Sequence, residues 1–151
     1  ALRLERGRAD GRASVVVDAT RRFQTHVGIG GSFTESSADL FKQMGEENQK
    51  KIVDAYFSVD RGIGYRVGRV HINSCDFSKG NWACCDDPQD KKLEKFTLLH
   101  YETSILPLLR QAASTASAPI RLLASPWSPP AWMKDNGRMQ FGGRLRPECR
   151  H

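Results

Sequence analysis

At 151 residues, with 39% hydrophobic and 26% charged residues, the chain is long enough for one domain with a real core and too apolar to be disordered. It has no apolar run of the ~18 residues a bilayer span needs and no N-terminal apolar core of a signal peptide, so it reads as soluble, any export signal having been removed. The net charge of +6 sits wholly in the two ends: residues 1–22 hold six Lys/Arg against three Asp/Glu, residues 134–151 hold five against two, and residues 23–133 hold twelve against twelve. That neutral middle argues against a nucleic-acid partner.

Cys75, Cys84, Cys85 and Cys149 show no C-x-x-C spacing and no His at a zinc-ligand interval, so neither metal nor cofactor is implied, and four are too few for a disulfide-built fold.

Residues 1–13 are Arg-rich without period and read as a poorly ordered lead-in. Ser14 to Asp18 and Phe23 to Val27 read as short extended segments about a polar turn. Gly28-Ile-Gly-Gly-Ser-Phe-Thr-Glu35 lacks the spacing of a phosphate-binding loop and reads as a tight turn where backbone packs closely. A helix follows, with Ser36 or Ser37 as N-cap, in two pieces, Ala38 to Met44 and Glu46 to Phe57, hinged at Gly45.

Gly64 to Ile72 alternates with a period of two and reads as a strand, with Arg69, His71 and Asn73 on one face. It runs into Ser74-Cys-Asp-Phe-Ser78. Such a strand end is either the rim of a parallel α/β barrel or an edge strand with one wet face. Asn81 to Lys95 has the composition of a long surface loop, and long loops in compact domains are more often functional. An amphipathic helix spans Leu98 to Ser117, and Pro107 bends it or marks its true start. Ile120 to Ala124 suits a buried parallel strand and ends in Ser125-Pro-Trp-Ser-Pro-Pro-Ala-Trp-Met-Lys134. Strand, loop, helix, strand, loop is a βαβ unit, with both strand ends on one edge.

Asp76 after one strand and Trp127 after the next are then neighbours. A carboxylate beside an aromatic face suits a sugar, whose hydroxyls take hydrogen bonds while its C–H side stacks. The plainer alternatives are a rigid Trp–Pro packing corner and an Asp capping its own loop. Arg69, inside a strand, requires a carboxylate partner if buried, and Glu35 is the nearest candidate by placement.

Gly28 to Glu35, Gly62-Ile-Gly-Tyr65, Arg69-Val-His-Ile-Asn-Ser-Cys-Asp-Phe-Ser78 and Ala124 to Lys134 together resemble the N-terminal part of glycoside hydrolase family 30, the glucosylceramidase family, over residues 15 to 147. The resemblance implies an α/β fold: the first two βα units of a (β/α)8 barrel in residues 28–147, with 14–27 as strands of an accessory β-domain. It implies retaining hydrolysis of a β-glucoside such as glucosylceramide, and a secreted or lysosomal location. It also implies that Asp76 and Trp127 hold the terminal glucose, that Arg69 orders the active-site carboxylates, and that Phe77 lines the same pocket.

Retaining hydrolysis needs two carboxyl groups about 5 Å apart. In the family, one Glu follows an Asn after the fourth strand and the other ends the seventh, and a whole barrel takes on the order of 250 residues. Neither Glu matches a position here, so no catalytic residue is assigned and the chain alone is expected to be inactive. Residues 148–151 depart from the family pattern, as a truncation or frameshift gives. A fragment with an unpaired sheet edge is also open to self-association. The alternative is a freestanding carbohydrate- or partner-binding module that reuses the same rim.

Overall fold

The computed structural model describes residues 15–90 and 92–150, so the lead-in expected over residues 1–13 lies outside the described residues. Three parallel strands form one sheet in the order β1-β2-β3: β1 Gly30–Phe33, β2 Val67–Ile72 and β3 Arg121–Pro126. Helices α1 Glu35–Gln43 and α2 Glu46–Phe57 connect β1 to β2, and α3 Leu99–Thr103 and α4 Ile105–Thr115 connect β2 to β3. The α/β class and the parallel βα order follow the sequence reading.

Several elements differ from that reading. The Gly-rich stretch is not a turn but contains β1, paired in parallel with β2 from Gly30 opposite Val67 to Phe33 opposite Val70. Among the described residues the sheet therefore has three strands where the βαβ reading gives two. Glycines hide this strand because they contribute no β-branched or alternating signal. The expected close backbone approach is present all the same: a Cβ on Gly30 would sit 1.4 Å from the Val67 carbonyl oxygen.

Residues 15–29, where two short strands are expected, form no strand, and Val15, Val16, Val17 and Phe23 are exposed. An extended segment becomes a strand only when a neighbour takes up its backbone hydrogen bonds, and the described residues offer none.

Thr34, not Ser36 or Ser37, caps α1. Its Oγ1 accepts from the Ser37 N–H at 3.2 Å, and the Ser37 hydroxyl reciprocates in a capping box. Gly45 separates α1 from α2, as the sequence suggests. The Leu98–Ser117 helix breaks at Ser104, and Pro107 falls in the first turn of α4, where a missing N–H costs nothing.

The helices cover one face of the sheet. Phe33 and Val70 point to that side, where Phe33, Ala38, Phe41, Val53, Phe57, Ile105 and Ala112 form the core and Phe33 stacks on Phe57 at 5.6 Å between ring centroids. Alternation puts Ser32, Arg69 and Leu123, which lie in register, on the opposite face. β3 is not the buried strand its apolar run suggests: Leu122 and Leu123 are 47% and 62% exposed, because β2 flanks it on one side only.

Candidate functional site

Parallel pairing brings the C-terminal ends of β1, β2 and β3 to one edge. The segments leaving that edge interlock. The Ser36 N–H and hydroxyl both donate to the Phe77 carbonyl, at 2.9 and 2.6 Å, tying the start of α1 to the loop after β2. Glu35, also at the start of α1, is buried and accepts from the Trp82 indole N–H at 2.8 Å. Trp82 in turn stacks on His100 at 4.4 Å, the planes within 2° of parallel, and meets Tyr101 edge-on at 5.1 Å. The long loop from Asn81 is thereby anchored at the sheet edge by a charge-assisted hydrogen bond and an aromatic stack.

β2 ends at Ile72, so Asn73 does not continue the strand face of Arg69 and His71; it turns into the left-handed region at φ 61°. His71 is 2% exposed, flanked by the Trp82 and Tyr101 rings. The Tyr101 hydroxyl donates to the His71 carbonyl at 2.9 Å and accepts from the Asn73 N–H at 3.0 Å. Burial pushes the Tyr101 hydroxyl above its ordinary pKa of 10, so it stays a neutral donor.

Asp76 and Trp127 line one cleft of about 290 Å³ with Ser74, Cys75, Asn81, Ser128, Met139 and Gln140. The Gln140 amide N–H donates to Asn81 Oδ1 at 2.6 Å, and the Ser128 hydroxyl donates to the Met139 carbonyl at 2.9 Å, joining the cleft walls. Trp127 also borders a broader cleft of about 720 Å³, lined by Asn73, Met133, Lys134 and Gly143 among others. The Arg69 guanidinium carbon stands 5.4 Å from the Trp127 ring centre, and its Nε donates to Ser32 Oγ at 3.1 Å. An apolar hollow of about 380 Å³ between α1, α2 and β1 offers no carboxylate and lies with the helices.

Of the residues singled out from sequence, Asp76 and Trp127 line one cleft at this edge, and Arg69, from within β2, reaches the Trp127 ring. Phe77 is 56% exposed and is not part of the cleft wall; its carbonyl is what the structure uses. The expected Arg69–Glu35 pair is absent: Glu35 is taken by Trp82, and Arg69 is half-buried rather than enclosed, so it needs no counter-charge to stay folded. Sequence reasoning gave no role to Asn81, Gln140 or Asn73. Asn73 alone left a signal, since Asn directly after a strand is a common choice for a positive φ. Among the described residues no His/Cys/Asp/Glu group has a metal-site arrangement, and no helix is long and apolar enough to cross a membrane.

A model of the glycosyl hydrolase family 30 TIM-barrel domain matches residues 26–150. The chain belongs to this family. Among curated relatives, it is 41% identical over 138 residues to putative glucosylceramidase 3 of Caenorhabditis elegans, covering 91% of this chain and 26% of that protein. It is 39% identical over 127 residues to lysosomal acid glucosylceramidase of Mus musculus, covering 83% and 24%. Among solved structures, SrfJ from Salmonella typhimurium superposes with a TM-score of 0.78 at 40% identity over 83% of this chain and 28% of that one. An endo-β1,6-glucanase superposes with a TM-score of 0.69 at 30% identity, covering 78% and 25%. The family 30 chain thus spans about a quarter of the length of these relatives, and its three strands belong to a TIM-barrel domain.

Proposed function

We propose that this family 30 segment supplies the glucose-holding rim of a glucosylceramidase-type retaining β-glucosidase. Asp76 accepts from sugar hydroxyls, Trp127 offers its face or its indole N–H to the same ring, and Arg69 orders carboxylates brought by other strands. The observation that carries the reading is the shared cleft: Asp76 and Trp127, on different βα loops, line one hollow at the C-terminal edge of a parallel sheet, where barrel enzymes keep their active sites. Names of relatives support the substrate, since three curated relatives at 36–41% identity are named glucosylceramidase, two of them as putative. One of them is lysosomal, which supports a lysosomal or secreted location.

The cleft holds one carboxylate, Asp76. Retaining hydrolysis uses two, about 5 Å apart, as nucleophile and acid/base. The 151-residue chain therefore binds or positions and does not cleave; hydrolysis belongs to a protein that adds both Glu residues. Residues 14–27 belong, on this reading, to an accessory β-domain.

The test is a β-glucosidase assay on two samples, the pure 151-residue chain and the protein as its gene encodes it, using nitrophenyl β-glucoside and glucosylceramide. No turnover by the first and retaining turnover by the second, with a higher KM in Asp76→Ala, is expected. Turnover by the pure chain, or a native KM in Asp76→Ala, overturns the reading.

A further inference from the structure

Asn73 stands directly after β2 with φ at 61°, and its polar groups reach four places. Its N–H donates to the Tyr101 hydroxyl at 3.0 Å. Its Nδ2 donates to the Ser128 carbonyl at 3.0 Å, and its Oδ1 accepts from the Cys84 N–H at 3.0 Å. Its carbonyl faces His71 Nδ1 at 2.5 Å. One residue thus joins the end of β2, the loop after β3, the long connection through Cys84, and α3.

These partners lie next to the sugar-holding pair. Ser128 follows Trp127 directly, so the Nδ2 bond fixes the carbonyl beside that indole. Asp76 lies a short way beyond Asn73, and the intervening Ser74 is itself buried and pinned, its N–H donating to the Trp82 carbonyl at 3.0 Å and its hydroxyl accepting from the Trp82 N–H at 3.1 Å. Asn73 thus stands on the chain three residues before Asp76 and is bonded through its amide to the residue after Trp127.

We infer that Asn73 is a positioning residue, whose side chain clamps the loop after β3 to the end of β2 and so sets the spacing of Asp76 and Trp127. The inference rests on the reading of those two residues as the sugar-holding pair. Asn suits the position on two counts: it adopts a left-handed backbone at low cost, and its amide presents a donor and an acceptor in opposite directions.

The test uses the protein as its gene encodes it. Asn73→Gly keeps the positive φ and loses both side-chain bonds. Asn73→Asp keeps the acceptor for Cys84 and replaces the donor to Ser128 with an oxygen. Both variants should raise KM for nitrophenyl β-glucoside by about tenfold, the equivalent of one lost hydrogen bond, with a smaller change in kcat, because the pair holds the sugar before and during reaction. Amide exchange over residues 127–133 should quicken in both, while the melting temperature of Asn73→Asp stays within a few degrees of native. Asn73→Asp carries the test alone if Asn73→Gly does not fold. Native exchange over 127–133 in Asn73→Asp overturns the clamp whatever the sugar does. Native KM in Asn73→Asp, with KM raised in Asp76→Ala, overturns the positioning role and leaves the sugar site standing. Native KM in Asp76→Ala removes the sugar site and this inference with it.

Discussion

The Trp82 indole N–H donates to the buried Glu35 carboxylate at 2.8 Å, joining the long loop after β2 to the first turn of α1. Glu35 and Trp82 are 7% and 9% exposed, so neither has water to replace the other.

Trp82→Phe should therefore cost about 2 kcal/mol, because it leaves a buried carboxylate with one partner fewer. Glu35→Gln should cost less, since the amide keeps an acceptor for the indole. Chemical denaturation at constant m-value measures both; a Trp82→Phe midpoint equal to native shows that the bond contributes nothing.

Gly68 is fixed by packing between strands. A Cβ there would lie 2.6 Å from Phe33 Cε2 and 2.9 Å from Leu122 Cδ2, so Gly68→Ala should destabilise by about 1–3 kcal/mol as Phe33 is forced from the core. Gly80, with nothing within 4 Å, is the control, and Gly80→Ala should stay within about 0.5 kcal/mol of native. Equal melting temperatures for the two variants would show that the Phe33 ring relaxes freely.

Arg69 contacts Ser32 Oγ and the Trp127 ring and has no carboxylate partner among the described residues. Arg69→Met should fold with a melting temperature within a few degrees of native, and it should lower glucoside affinity through the loss of its cation beside Trp127. Collapse of folding in Arg69→Met would show that Arg69 bears structural weight that these contacts do not explain.

Asp54 gives the molecule an acid limit. The Arg61 guanidinium, hydrogen-bonded to its carboxylate, and then Lys50 hold its pKa at about 2, below the ordinary 3.8. The folded state thus binds this proton more weakly than the unfolded chain does. The contribution is complete above about pH 4 and is lost as pH falls toward 2. Asp54→Asn should flatten the stability profile in that window; identical acid profiles for variant and native protein would rule out the linkage.

The loops at the sheet edge were legible as candidates because their residue types are unusual after a strand: Asp76 beside Phe77, and Trp127 between prolines. Their pairing across the cleft followed from the βαβ order alone. Glu35 illustrates the limit. Its place after the Gly-rich stretch suggested Arg69, but local order cannot show that Trp82, far along a loop without period, folds back and takes the carboxylate first.

The sequence by itself determined the class, the parallel order of β2 and β3, the hinge at Gly45 and the two rim clusters, because periodicity, turn residues and unusual side chains are local properties. Only the tertiary structure decided that the Gly-rich stretch holds β1, that Thr34 caps α1, that Ser104 splits the second helix, and that Asn73 leaves the strand to bind Ser128, Cys84 and Tyr101. Each depends on a partner distant in the chain or on backbone geometry that several residue types satisfy equally. Glycine in β1 pairs because Val67 lies beside it, and Asn73 becomes a hub because its side-chain amide reaches Ser128 and Cys84 while its backbone N–H reaches Tyr101.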